Sequence, residues 1–352
     1  MNPSPQGQIS EESTHITAAA DRPRVLPTSI IETTFDFARS CILLAAIELD
    51  LFTWIARGVQ TSYELAERTA ADEAALSKLL GALGAMNFLE SANQAYRLTP
   101  VSDVFLVRDR KTYLGDVVLQ IRQEWDAWVH LTDVVRTGQS VRCINQEATG
   151  GAFFSLLDPL LFPIVYPLMQ RICARLGIGT SLHALQIADL GAGAAPAAIA
   201  ALELDSEAHA VAIDFEAVLK IARTFAQRQG VEQRITFQAG DLEEMELPTE
   251  HFDIIFAGHL FRLLGSEQTQ RLITQSFRAL KPGGTLVVVE TYNDPERRAA
   301  LFPHIVTINM MVNTQRGEAL SSHSVRQWLA EAGFQVEIWT DLGPDLILLG
   351  RR

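Results

Sequence analysis

From Leu185 onward the chain alternates short apolar runs with helical segments, and that rhythm leaves few folds open to it. The runs are "ALQIADL", "HAVAID", "RITFQAG", "FDIIFAG" and "GTLVVVE", then "FQVEIW" and "DLILLG". Helical segments are expected between the first five. Strands alternating with helices imply an α/β fold, a parallel, doubly wound Rossmann-like sheet that takes its ligand at the strands' carboxyl ends. The last two runs lie close in sequence and are expected to pair as an antiparallel edge. The turn after the first run reads "IADLGAGAAPAAIA", Ile187 to Ala200, and nearly every side chain in it is tiny. Gly191 and Gly193 there permit a tight turn and let a ligand approach the main chain. An alanine-rich helix start packed on a sheet would look much the same, so the loop needs support from elsewhere.

Three acids supply it. The loop departs from the dinucleotide pattern G-x-G-x-x-G, since Pro196 stands at the third glycine, and a pyrophosphate is not expected on it. Asp189 precedes the glycines, where it would repel a pyrophosphate but could hold an ammonium group. Asp214 ends the second run, at about the spacing where an acid reaches ribose hydroxyls. Asp241, in "QAGDLEE", ends the third run, placed to accept from an adenine amino group. A lone Asp after a strand is usually a turn former. Three at successive strand ends point together to a nucleoside.

The first half reads differently. Residues 1–25 are polar and expected to be a disordered tail. Thr28 to Arg57 has a helical, largely apolar pattern. Thr61 with Glu64 forms a capping box, Asp72 caps a second helix running to about Met86, and "ESANQAYRLTP" reads as a hairpin, together a winged helix. Such a module raises DNA binding, and charge argues against it. The chain carries 29 Lys plus Arg against 42 Asp plus Glu, a net charge of −13. The would-be recognition helix has one base, Lys78, among Leu76, Leu79, Leu80 and Leu83, whereas groove reading needs donors for phosphates and base edges. The module is therefore expected to pack or dimerise.

Residues 113–180 are expected to be helical throughout, kinked at Pro163 and Pro167, with Trp125, Trp128, Phe153, Phe154, Phe162 and Tyr166 as core or cavity wall. The expected organisation is a tail over 1–25, a winged-helix domain over 26–112, a connector lining a substrate cavity over 113–180, and a ligand-binding domain over 181–352. Cys41, Cys143 and Cys173 sit in no metal-type spacing and read as reduced thiols of a cytoplasmic protein, with no metal expected. The most membrane-like segment, "CILLAAIELDLFTWIA", is interrupted by Glu48 and Asp50, and no span is expected there.

Together with "LKPGGTLVVVE", Leu280 to Glu290, these residues resemble the S-adenosylmethionine-dependent class I O-methyltransferases that carry an N-terminal winged-helix dimerisation domain. These are the small-molecule enzymes of plant phenylpropanoid and bacterial antibiotic pathways. "FPIVYP", "AGHLFRLLG" and "TINMMVNTQRGEALS" look most like the bacterial branch, which includes bacteriochlorophyllide and polyketide-tailoring enzymes. The resemblance implies S-adenosylmethionine as cofactor, bound by Asp189, Gly191, Gly193, Asp214, Asp241, Leu242, Gly258 and Tyr166. It implies a homodimer, no nucleic-acid or membrane partner, and O- or C-methylation of a small aromatic or macrocyclic acceptor. Trp125, Phe162, His304, Asn309, Met310 and Asn313 are its substrate-facing candidates.

One departure stands out. The family's histidine base follows the fourth strand, and its two usual positions hold Phe261 and Arg262 here. His259 remains nearby, with Arg262 expected one turn further along the same helical face. His259 as base and Arg262 as holder of an anionic acceptor are the catalytic candidates. Two other readings stay open: a methyltransferase-like protein put to a non-methylating reaction, and a winged-helix regulator that senses a small molecule.

Overall fold

The computed structural model describes residues 27–294, 301–343 and 345–352, so the tail expected over 1–25 lies outside the described residues. Helix α1 (Thr28–Glu48) leads through a left-handed Asp50 into α2 (Leu51–Ala56). Thr61 then caps α3 (Ser62–Thr69) in the expected box with Glu64, and Asp72 accepts from the Ala75 N–H to cap α4 (Glu73–Ala85). Strands β1 (Leu89–Ala92) and β2 (Ala95–Leu98) pair antiparallel. Asn93 and Gln94 make their turn at φ of 51° and 63°, both left-handed, as a two-residue hairpin requires. Leu76, Leu80 and Leu83 of α4 are buried in one cluster with Leu51, Phe52 and Leu65, so the helix that would read DNA spends its apolar face on this core.

Short helices follow: α5 (Pro100–Phe105), α6 (Gly115–Ile121), α7 (Trp125–Trp128) and α8 (Leu131–Thr137). The connector is not helical throughout. A left-handed Gly138 ends α8, and the stretch to Gln146 is loop. Its backbone is satisfied elsewhere: the Val141 N–H donates to Val312 O at 2.8 Å and the Ile144 N–H to Asn313 O at 2.9 Å. Helix α9 (Glu147–Leu176) then runs as one element through Pro159, Pro163 and Pro167, where kinks at Pro163 and Pro167 were expected. Among the described residues α9 is the one helix long and apolar enough to cross a membrane, rather than the segment around Glu48. Its apolar length has other uses. Leu168, Met169, Ile172 and Cys173 enter the core beneath the sheet, and the preceding turns line a cavity.

The second half holds a seven-stranded sheet in the order β5-β4-β3-β6-β7-β9-β8. Its elements are β3 (Gln186–Leu190), α10 (Pro196–Leu204), β4 (His209–Asp214), α11 (Glu216–Arg228), β5 (Ile235–Ala239), β6 (Phe252–Gly258), α12 (Phe261–Ala279), β7 (Leu280–Glu290), α13 (Leu301–Asn313), α14 (Ser322–Glu331), β8 (Gln335–Trp339) and β9 (Leu346–Arg351). All seven strands fall on the expected runs. The first five are parallel, and β9 is inserted antiparallel between β7 and the edge strand β8.

The helix expected between β5 and β6 is absent. Residues 240–251 are turn and loop, because Asp241 accepts from the Glu243 N–H at 2.8 Å and Gln275 of α12 ties down Met245 O. One face of the sheet packs on α9, α10 and α11, the other on α12 and α14, giving two apolar clusters. The order reverses between β3 and β6, so the crevice for a ligand opens there, above their carboxyl ends.

Candidate functional site

A cavity of about 340 Å³ occupies that crevice. Its floor is the turn between β3 and α10. Gly191 and Gly193 take φ of 60° and 56°, conformations that cost a residue with a Cβ. A methyl group on Gly191 would stand 2.8 Å from Leu260 Cδ1, and one on Gly193 would stand 3.1 Å from Asp158 Oδ2. The small residues therefore keep a cradle open. Pro196 starts α10 without needing an N–H, as its place in the first turn allows.

The acids at the strand ends divide. Asp214 and Asp241 lie on the cavity wall, as do Leu242 and Gly258. Asp214 Oδ2 accepts from the Gly193 N–H at 2.8 Å and Oδ1 from the Phe215 N–H at 2.7 Å. Burial pushes its carboxyl up to about 6, against the pull of those two donors. Asp189 is turned away from the cavity. It is buried, its Oδ2 accepts from the Ala198 N–H at 3.0 Å inside α10, and desolvation raises it to about 7. That bond fastens the β3–α10 turn, and Asp189 is not among the residues on the cavity wall.

Tyr166 also lies off the wall. Its ring stacks on Phe162 with centroids 4.8 Å apart, and its hydroxyl donates to Glu203. Of the substrate-facing candidates, Phe162, Asn309 and Met310 line the cavity, and Trp125, His304 and Asn313 do not. Helical spacing explains the split on α13, where Phe302, Val306, Asn309 and Met310 share the inward face while His304 points elsewhere. Asn313 is buried below them, its Nδ2 donating to Glu124 Oε2 at 2.7 Å and to Asn309 Oδ1 at 2.9 Å. Trp128, not Trp125, reaches this network and donates from Nε1 to Asn309 Oδ1 at 2.9 Å.

His259 and Arg262 both line the cavity. They do not share a helical face: His259 sits before α12 in a left-handed conformation, φ 55°. They meet through Glu290, fully buried at the end of β7. Arg262 Nη1 is 3.2 Å from Glu290 Oε1 and 3.4 Å from His259 Nδ1. His259 Nδ1 lies 3.6 Å from Glu290 Oε1 and its Nε2 lies 3.7 Å from Asp345 Oδ2. Burial alone would raise the Glu290 carboxyl, but Arg262, then His259 and the Thr291 N–H, hold it below the usual carboxylate range.

Several wall residues carried no signal of their own in the sequence. Phe153 and Phe154 were expected only as aromatics of the connector, whereas Asp158, Asn145, Glu290 and Asp345 are brought to the site or its edge by tertiary packing alone.

A doubly wound sheet of this order, with a glycine cradle, acids ending β4 and β5 and an apolar cavity beyond them, defines a class I S-adenosylmethionine-dependent methyltransferase. Residues 182–333 match the family model of a methyltransferase domain, and residues 31–108 match that of the O-methyltransferase dimerisation domain. The chain belongs to the S-adenosylmethionine-dependent O-methyltransferases that carry this N-terminal domain. It is 27% identical over 336 residues to the tetracenomycin polyketide synthesis 8-O-methyl transferase of Streptomyces glaucescens, covering 93% of this chain and 97% of that protein. It is 28% identical over 327 residues to an N,N-dimethyltransferase of Streptomyces rimosus, covering 88% and 90%. The fold matches that of an O-methyltransferase family protein from Burkholderia thailandensis, with a TM-score of 0.78 at 20% identity over 93% of this chain and 98% of that one. It also matches human N-acetylserotonin methyltransferase, with a TM-score of 0.74 at 22% identity over 92% and 97%. These relatives favour methylation over the repurposed and regulatory readings.

Proposed function

We propose that the chain methylates an oxygen of a flat, largely apolar aromatic secondary metabolite that binds already ionised, and that it does so as a homodimer. When bound, S-adenosylmethionine supplies a methyl group activated on a sulfonium. The glycine cradle and the acids Asp214 and Asp241 are suited to its adenosine, and the aromatic wall of α9 and α13 to the acceptor beyond it. In-line displacement needs alignment first, and a cavity walled by Phe153, Phe154, Phe162, Phe302 and Met310 restricts a planar acceptor to few poses.

The observation that carries this reading is the state of His259. Its Nδ1 is flanked by Arg262 Nη1 at 3.4 Å and Glu290 Oε1 at 3.6 Å, and its Nε2 lies 3.7 Å from Asp345 Oδ2, a setting of charged side chains around the ring that supports a reading in which it is not the base. Donors, by contrast, are present. Arg262 brings a guanidinium to the wall. Asn309 brings an amide whose orientation is set by its neighbours: Trp128 Nε1–H can only donate, so the oxygen faces it, and among the described residues the Nδ2 group has no acceptor. A cation and an N–H suit an oxyanion or carbonyl oxygen.

Incubation with S-adenosylmethionine and a panel of hydroxylated polycyclic aromatics and their amino analogues tests this, read by product mass. Methylated phenols, best for the more acidic members, are expected. Methylated amines alone would overturn it. The N-terminal unit, read as a winged-helix dimerisation domain, leaves Ile30 69%, Phe35 61% and Phe37 65% exposed on α1, a surface that a second copy would cover.

A further inference from the structure

One face of α9 lines the cavity with Phe154, Leu157, Asp158, Leu161, Phe162 and Val165. Five of these are apolar and the sixth is a carboxylate. Asp158 stands over the glycine cradle, its two oxygens 3.1 and 3.5 Å from where a Gly193 methyl would be. It is half-buried on the cavity wall, and burial, then the charge of Asp214 beside it, hold its carboxyl well above the carboxylate range. The other acids of the site are committed. Asp189 accepts from Ala198, Asp214 from Gly193 and Phe215, and Asp241 from Glu243. Among the described residues Asp158 accepts no hydrogen bond and faces no cation. A desolvated carboxylate next to a second one is costly to keep unless something positive meets it.

We propose that Asp158 binds the α-ammonium group of the cofactor, an assignment that rests on the cofactor reading above. An ammonium offers three N–H donors to a carboxylate that finds none in the protein, and the bonds formed are charge-assisted. The sulfonium offers no donor, and a carboxylate held against it would favour the charge that methyl transfer must discharge, which opposes catalysis. The place expected for this contact from sequence was Asp189. The structure turns that side chain into α10 and puts Asp158 on the cradle from the opposite side.

The test is calorimetric and needs no acceptor. Asp158→Asn preserves shape and removes charge. Three ligands are titrated into the wild type and the variant: S-adenosylmethionine, S-adenosylhomocysteine, which keeps the ammonium but has lost the sulfonium, and 5′-methylthioadenosine, which lacks the amino-acid end. The first two are expected to bind the variant at least about tenfold more weakly. The third is expected to bind both proteins equally, which also shows that the variant is folded. Unchanged affinity for S-adenosylhomocysteine, loss confined to S-adenosylmethionine, or equal loss for all three would each overturn the assignment. A wild type that binds none of the three would overturn the cofactor reading itself, and the assignment with it.

Discussion

Asp214 offers the sharpest quantitative test of the nucleoside end of the site. Its carboxylate has about four lone-pair positions, and the Gly193 and Phe215 N–H groups use two of them. Two remain for a pair of vicinal hydroxyls such as those of a ribose. Each hydrogen bond to a charged group contributes roughly 1.5–3 kcal/mol, and water recovers part of that in a truncated variant. Asp214→Ala should therefore weaken S-adenosylmethionine by at least about tenfold, or ~1.4 kcal/mol. The pH dependence follows from the direction of its shift. Burial raises the carboxyl to about 6, so in the free protein it is ionised and able to accept above that pH. Below about 6 it holds a proton that must leave before both hydroxyls can donate to it, and affinity falls as pH drops. Calorimetry at pH 5, 6 and 7.5 on the wild type and Asp214→Ala reads both effects. An Ala variant that binds within about twofold of wild type, or a wild-type affinity flat across the range, would remove Asp214 from the site.

Two further outcomes are expected. His259→Ala should keep turnover within about tenfold of wild type on a phenolic acceptor, because its ring is flanked by Arg262, Glu290 and Asp345 and the acceptor is proposed to bind ionised; a loss of a hundredfold or more, with a histidine-range inflection in the wild-type profile, would restore it as the base. Light scattering should give twice the 38.8 kDa chain mass at micromolar concentration, falling toward one chain in a Phe35→Ser/Phe37→Ser variant; a wild type that already runs as one chain would sink the homodimer.

What the sequence made legible follows from locality. Asp214 and Asp241 were readable because a parallel sheet gathers its strand ends at one rim, so an acid at a strand's last residue, or just past it, has its destination fixed by topology. Asp189 shares that rim, yet it is close enough to α10 for the Ala198 N–H to claim it, and spacing could not tell the two fates apart. Asp158 was invisible for the opposite reason. It sits mid-helix in an apolar run, and its meaning comes only from the glycine loop packed against it far along the chain. Asn309 was identified as polar and substrate-facing, but which end of its amide faces the acceptor was decided by Trp128, 181 residues away. The loop at 240–251 was misjudged because "DLEEMEL" has helical composition, while Asp241 takes the Glu243 N–H and starts a turn instead.

On the proposed reading, the arrangement of charge along the cavity would let the chain methylate without a histidine base at Phe261 or Arg262, the positions where the resemblance implies one. Carboxylates gather at the nucleoside end, where Asp158, Asp214 and Asp241 line the wall, and donors at the acceptor end, where Arg262 and Asn309 do. Arg262 cannot be a base, but it is held in place by Glu290, whose buried carboxylate balances part of its charge and fixes its direction. A guanidinium so placed lowers the cost of bringing an oxyanion out of water, the step a general base would otherwise have to complete inside the cavity. Once there, an oxyanion about 4 Å from a positive centre is drawn to it by roughly 4 kcal/mol at an effective dielectric of about 20. Transfer then cancels two charges rather than creating them, and an apolar wall of phenylalanines opposes such a step less than water does, because it does not solvate the reactant ions. On that reading the acceptor's acidity takes the place of the histidine whose expected positions hold Phe261 and Arg262. It follows that rate across a series of phenols should track how much of each is ionised at the assay pH.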